Sequence, residues 1–249
     1  MKQLIAFDLD GTLAESKQPL SDEVAALLAR LLAVADAAII SGGDWPQFEK
    51  QIASRLPAGA VRERLWLMPT TGTKLYRFAD GAWRRAYADL FDADERARIL
   101  AAFDRALADA GLADERIWGE RIEDRGSQIT FSGLGQQAPL DAKEAWDPDR
   151  AKRTALQATL RAALPDLSIH LGGTTSIDVT RKGVDKAYGL RRLSEESGIA
   201  LAQMLFLGDA IYLGGNDYPA FTLGLDTVKV RDVAETIAVV TGIIACLGD

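Results

Sequence analysis

The hydrophobic pattern of the chain changes character twice. Leu4 to Phe7 is an unbroken apolar run that ends at Asp8 and a glycine-containing turn. A run this short, with no polar alternation, predicts a strand buried on both faces. After Ser21, acids at Asp22 and Glu23 precede apolar residues at Val24, Leu27, Leu28, Leu31 and Leu32. That spacing predicts an N-capped amphipathic helix with negative charge at the positive end of its dipole. AAII at 37–40 predicts a second buried strand, halted by Ser41-Gly42-Gly43, and Asp44 with Pro46 opens another helical stretch. The same alternation returns late in the chain, with a helix over 184–197, a strand in MLFLGD at 204–209, TVKV at 227–230 and a last helix from Asp232. Strand and helix alternating at these lengths predict an α/β fold built on a doubly wound parallel sheet.

The middle of the chain does not alternate. Residues 65–83 predict short strands with turns at Gly72 and Asp80-Gly81, and an amphipathic helix follows over 92–110. Strand-like patches broken by glycines fill 120–134, a second helix covers 149–163, and LSIHLGGTTSIDVT at 167–180 again has strand character. This pattern suits an α+β layer. The expected organisation is a core of residues 1–87 and 183–249, interrupted by an inserted α+β domain of residues 88–182.

Composition narrows the setting. A chain of 249 residues buries enough surface to need no disulfide or structural metal. Its single cysteine, Cys246, has no partner for an internal bridge, and the expectation is a core position in a reducing compartment. The net charge of −7 argues against nucleic acid and anionic membrane as partners, so a phosphate site must be local. With no apolar stretch long enough to span a bilayer and no secretory pattern, a soluble, cytoplasmic protein is expected. His170 and the five tryptophans read as structural, and WRRAY at 83–87 as surface.

Candidate chemistry gathers where strands end. In an open parallel sheet, ligands collect beyond the carboxyl ends of the strands. Asp8 and Asp10 lie there after the first strand; Asp209 follows the 204–207 strand, with Asn216 and Asp217 in the loop beyond. Several carboxylates at one sheet edge raise one another's pKa unless a cation sits among them. Hard oxygen ligands with open positions suit Mg²⁺ shared with a substrate phosphate. A calcium loop is disfavoured, because the sixth residue from Asp8 is Leu13 rather than glycine.

With those residues in place, the chain resembles the haloacid dehalogenase superfamily. Asp8-Leu9-Asp10-Gly11-Thr12 looks like its nucleophile motif, Ser41 its phosphate-binding hydroxyl, Lys186 its motif lysine, and Gly208-Asp209 with Gly215-Asn216-Asp217 its metal motif. Over essentially its full length it is similar to the eukaryotic-type phosphomannomutases, through SGGDW at 41–45, TGT at 71–73, GGTTSIDVTRKGVDK at 172–186 and GDAIYLGGND at 208–217. The resemblance implies a Rossmann-like core with a substrate-specifying cap. Asp8 would be the nucleophile that becomes an aspartyl-phosphate, and Asp10 the general acid/base. Gly11, Thr12, Gly42, Ser41 and Lys186 would cradle the phosphoryl group. Asp8, the Asp10 carbonyl, Asp209 and Asp217 would hold Mg²⁺. In the cap, Arg125, Ser176 and Asp178 fall where the family holds the sugar phosphate, while Gln136 and Lys143 stand where it carries arginines. Lysine and glutamine do not reproduce a bidentate arginine fork. The sequence reading therefore leans to a Mg²⁺-dependent sugar-phosphate phosphatase. A phosphomannomutase is the alternative, and a non-catalytic sugar-phosphate sensor a third reading. A homodimer through the cap is the family's implied assembly.

Overall fold

The computed structural model describes residues 1–172 and 174–248, so Gly173 of the 172–186 stretch lies outside the described residues. The chain divides into two compact units, Met1–Ala88 with Val184–Asp249, and Asp89–Gly183.

The first unit is built on a seven-stranded sheet. Its strands are β1 (Leu4–Phe7), β2 (Asp36–Ile40), β3 (Leu65–Met68), β4 (Lys74–Ala79), β5 (Ala82–Ala88), β10 (Met204–Gly208) and β11 (Asp226–Lys229), in the order β11-β10-β1-β2-β3-β4-β5. The five from β11 to β3 run parallel. β4 and β5 add on antiparallel, as a hairpin across the expected Asp80-Gly81 turn. Its turn places Asp80 at φ 50° and Gly81 at φ 75°, the double left-handed geometry that matches strand twist in a two-residue hairpin.

The unbroken apolar strands follow from double-sided burial. Ile5, Phe7, Ala37, Ile39, Leu65 and Leu67 join one core, facing helices α1 (Asp22–Val34) and α9 (Val233–Leu247). Their neighbours Leu4, Ala6, Ala38, Ile40, Trp66 and Met68 join a second core with Leu190 and Leu193 of α7 (Lys186–Ser197) and Ala220 of α8 (Tyr218–Thr222). Ser21 caps α1 by accepting from Val24 N–H at 3.2 Å, and Asp44 opens α2 (Trp45–Gln51). Cys246 is exposed, against the expected core position. The buried side of α9 runs through Val240, with Ile243, Ile244 and Leu247 packed against the core, and Cys246 lies off that stripe. The short left-handed turn α3 (Pro69–Gly72) links β3 to β4.

The second unit is α+β. Strands β6 (Ile122–Asp124), β7 (Gln128–Ser132), β8 (Leu167–Gly172) and β9 (Ser176–Arg181) form an antiparallel sheet in the order β6-β7-β9-β8. Ile129, Phe131, Ile177, Val179 and Ile169 pack with Ile99 and Phe103 of α4 (Ala93–Asp109) and Leu156 and Leu160 of α6 (Ala151–Ala163). Alternation along the strands then leaves Glu123, Thr130, Ser132, Ser176 and Asp178 on the other, polar face. A helix the sequence pattern did not suggest, α5 (Leu140–Trp146), follows Pro139.

Candidate active site

The residues after β1 and β10 converge. Among the described residues, Asp8, Asp209 and Asp217 bring one carboxylate oxygen each to within 4.8 Å of one another. Lys186, the first residue of α7, is 3% exposed and donates from Nζ to Asp8 Oδ1 at 2.5 Å and to Asp217 Oδ1. Asp217 is fully buried and accepts from Ala210 N–H at 2.9 Å through its other oxygen. Two glycines make this approach possible. A Cβ on Gly208 would lie 2.3 Å from Asp217 Oδ2, and one on Gly11, whose φ is +84°, 2.8 Å from Asp209 Oδ2.

The electrostatics follow from burial. Desolvation raises the Asp8 carboxyl to about 6, with Lys186 pulling it back down and Asp217 adding to the rise. For Lys186, burial works against the ammonium, but the two carboxylates outweigh it and hold it above the ordinary lysine range. Asp8 and Asp217 share one ammonium, with Asp209 beside them, so negative charge outnumbers positive in the cluster. The all-oxygen donor set fits a hard divalent cation held by Asp8, Asp209 and Asp217.

Asp10 is placed differently. The chain turns after Asp8, with Leu9 C=O accepting from Leu13 N–H at 2.9 Å and Ala14 N–H at 3.0 Å. The Asp10 carboxylate accepts from Lys17 N–H at 2.6 Å and is not one of the three clustered carboxylates. Thr12 is fully buried, and its hydroxyl lies 3.5 Å from Asp209 Oδ1. Ser41 directly follows β2 as a buried hydroxyl, its Oγ 3.5 Å from Gly43 N–H, with Gly42 beside it. Sequence reasoning missed two supports of this region, the Lys17 N–H that holds Asp10 and a buried Lys74 that donates to Asp44 Oδ1 at 2.6 Å. Neither has a composition or periodicity signal.

In the second unit, Arg125, Ser176 and Asp178 share the polar sheet face. Arg125 pairs with Glu123 at 2.8 Å. Asp178 accepts from Thr130 Oγ1 at 2.7 Å, and Thr130 in turn accepts from Gln128 Nε2 at 3.0 Å. Gln136 and Lys143 follow β7 in the chain, and Lys143 Nζ donates to Gln136 C=O at 3.1 Å. Arg121, the nearby arginine, spends its guanidinium on carbonyls, donating to Gly133 O at 2.7 and 3.0 Å and to Leu112 O at 2.8 Å.

Comparison with known proteins gives a consistent result. Residues 24–244 match the family model described as eukaryotic phosphomannomutase. A phosphomannomutase of Saccharomyces cerevisiae is 27% identical over 242 residues, covering 91% of this chain and 92% of the relative. Phosphomannomutase 1 of Dictyostelium discoideum is 28% identical over 220 residues, covering 85% and 84%. In fold, the chain is similar to Aspergillus fumigatus trehalose-6-phosphate phosphatase, with a TM-score of 0.58, 20% identity and coverage of 99% of this chain and 92% of that one. It is also similar to Plasmodium falciparum IMP-nucleotidase, with a TM-score of 0.72, 16% identity and coverage of 99% and 69%.

Proposed function

From its membership of the eukaryotic phosphomannomutase family, to which this chain belongs, we propose that it transfers a phosphoryl group between the two ends of a hexose phosphate through phospho-Asp8. The observation that carries phosphoryl transfer is the buried group of Asp8, Lys186 and Asp217 beside Asp209. The relatives, phosphomannomutases matched across most of their length, favour the mutase over the phosphatase to which the sequence reading leaned.

The chemistry divides among these residues. An Asp8 oxygen attacks phosphorus, forming the Asp8–phosphorus bond as the bond to the donor's leaving oxygen breaks. Asp10 gives that oxygen a proton and later takes one from the incoming hydroxyl. Lys186 and Ser41 bind the equatorial oxygens, where charge is spread in the transition state. Mg²⁺, when bound by Asp8, Asp209 and Asp217, supplies charge neutralisation among carboxylates and phosphoryl oxygens. Arg125, Ser176 and Asp178 hold the sugar-phosphate end of the substrate.

A phosphatase remains the second reading for one reason. Gln136 and Lys143 bring fewer fork-like donors than arginines would, and the Arg121 donors are already engaged by carbonyls. The two differ in whether a sugar hydroxyl or water attacks phospho-Asp8. Phosphorus NMR of mannose 1-phosphate with enzyme, Mg²⁺ and a trace of hexose 1,6-bisphosphate separates them. Signal passing into the 6-phosphate establishes the mutase. Signal passing into inorganic phosphate replaces it with the phosphatase, and silence in both channels removes phosphoryl transfer on this sugar.

A further inference from the structure

The connection from β3 to β4 is strained in a specific place. Thr70 and Thr71 both adopt left-handed backbone, at φ 48° and 60°, and Gly72 continues it at 83°. A β-branched residue in that region is a steric outlier, and two in succession persist only where surrounding contacts over-determine them. Those contacts run to two elements. On one side Thr70 N–H donates to Gly43 O at 2.8 Å, Thr71 N–H donates to Ser41 O at 2.9 Å, and buried Lys74 reaches Asp44. On the other side the turn lies against α7. A Cβ on Gly72 would sit 2.5 Å from Gly189 Cα, and one on Gly189 would sit 3.0 Å from Thr71 O. Inside the turn, Thr73 Oγ1 donates to Thr70 O at 2.8 Å and Tyr87 OH donates to Gly72 O at 2.7 Å.

The two elements so joined carry Ser41 and Lys186. Gly189 is three residues from Lys186, within one turn of the same helix face. A glycine-rich turn would connect β3 to β4 without strain, but it would leave the Ser41 loop and the first turn of α7 free to drift against each other. We propose that residues 70–74 are positioning residues. They form a strained bracket that fixes the Ser41 hydroxyl and the Lys186 ammonium in register for phosphoryl transfer. The catalytic part of this inference rests on the transfer reading above; the bracket itself is a statement about geometry.

The bracket is tested from both of its ends. Gly72→Ala inserts a methyl group against Gly189 Cα and drives α7 away from the turn. The crystal structure of this variant is expected to show Lys186 Nζ beyond hydrogen-bond reach of Asp8. Its kcat on mannose 1-phosphate should fall by about tenfold to a hundredfold, the scale of an ångström-sized misplacement. Lys74→Met keeps the bulk but releases the Asp44 side of the 41–44 loop, and it decides the matter if Gly72→Ala does not fold. It should lower kcat by about tenfold with KM changed far less, at an unfolding temperature that leaves the enzyme fully folded in the assay. Lys186 still seated on Asp8 in Gly72→Ala, or parental kcat in folded Lys74→Met, overturns the bracket. A parent chain inactive on the sugar phosphate counts against the transfer reading instead, and the crystallographic arm still decides the bracket.

Discussion

Asp8 sits between two influences of opposite sign, and its chemistry depends on their balance. Burial lifts its carboxyl to about 6 while Lys186, in direct contact, favours the ionised form that a nucleophile requires. Asp8→Asn keeps the shape and a hydrogen-bond acceptor for Lys186. It should leave the circular dichroism and cooperative unfolding of a folded chain, yet lower turnover by at least about a thousandfold, as loss of a nucleophile does. Turnover near the parental rate would remove Asp8 as nucleophile. The charge shortfall of the cluster predicts a second effect. Mg²⁺ at about a hundred times its dissociation constant should stabilise the fold by about 2.7 kcal/mol, read as a rise in unfolding temperature. Asp209→Ala should lose most of that rise, since Asp209 belongs to the cluster without contacting Lys186. At this scale the sequence was legible where residues end apolar strands. Asp8 and Asp209 follow β1 and β10 directly, and Asp217 was found by its motif. The Lys17 N–H that holds Asp10, and the Lys74–Asp44 pair, arise from loop backbone paths that no periodicity encodes.

Elements were legible in proportion to their length and periodicity. The apolar spacing of α1, α4, α6 and α7 marked each of them, while seven-residue α5 has too few turns to show a period. The direction of β4 and β5 was not fixed by apolar periodicity, since β5 is largely exposed; the Asp80-Gly81 turn was its local sign. The start of α6 falls two residues after the expected 149, and its cap residue is Arg150 at φ 62° with no side-chain cap bond. Asp147, three residues before it, takes over the task. It accepts from Lys152 N–H at 2.9 Å, from Arg153 N–H at 3.2 Å and from Arg153 Nε at 2.8 Å. Arg153 goes on to donate to Gly172 O at 2.9 Å. Burial works against the Asp147 charge, but these bonds outweigh it and hold its carboxyl below the ordinary aspartate value of 3.8. A folded pKa below the unfolded one means that the unfolded chain takes up protons first. The stabilisation is complete above about pH 4 and is lost as pH falls through the depressed folded value. Asp147→Asn should therefore destabilise the second unit at neutral pH by about 3 kcal/mol, the lower end for breaking a buried pair. Its stability should then fall less steeply than the parent's as pH drops below about 4. Denaturant unfolding followed across that range checks both.

At the scale of the whole molecule, the decisive feature is that the first strand of the chain sits at the centre of the five parallel strands. β1 lies between β2 and β10, paired in register from Leu4 with Met204 to Phe7 with Leu207. The apolar runs announced each strand alone, but a pairing across some 200 residues has no local signal, and it was inferred only from the return of the alternating pattern. That pairing predicts how the chain responds to a cut. Lys182 is exposed, just beyond β9 and before α7, whereas Arg181 beside it is engaged by Glu95 at 2.6 Å and by Leu90 O at 2.8 Å. Trypsin under native conditions should cleave first after Lys182. Mass spectrometry should then find two peptides, while size-exclusion chromatography still finds one particle. The C-terminal peptide carries β10 and β11, and leaving would strip one whole side of β1 of its hydrogen bonds and open both cores. Unpaired backbone and exposed Phe206 and Leu207 make that separation far costlier than the loss of a single peptide bond in a surface link. Separation into two particles without denaturant would mean that β1 and β10 are not neighbours, and Asp8 and Asp209 would then have no common sheet edge to share.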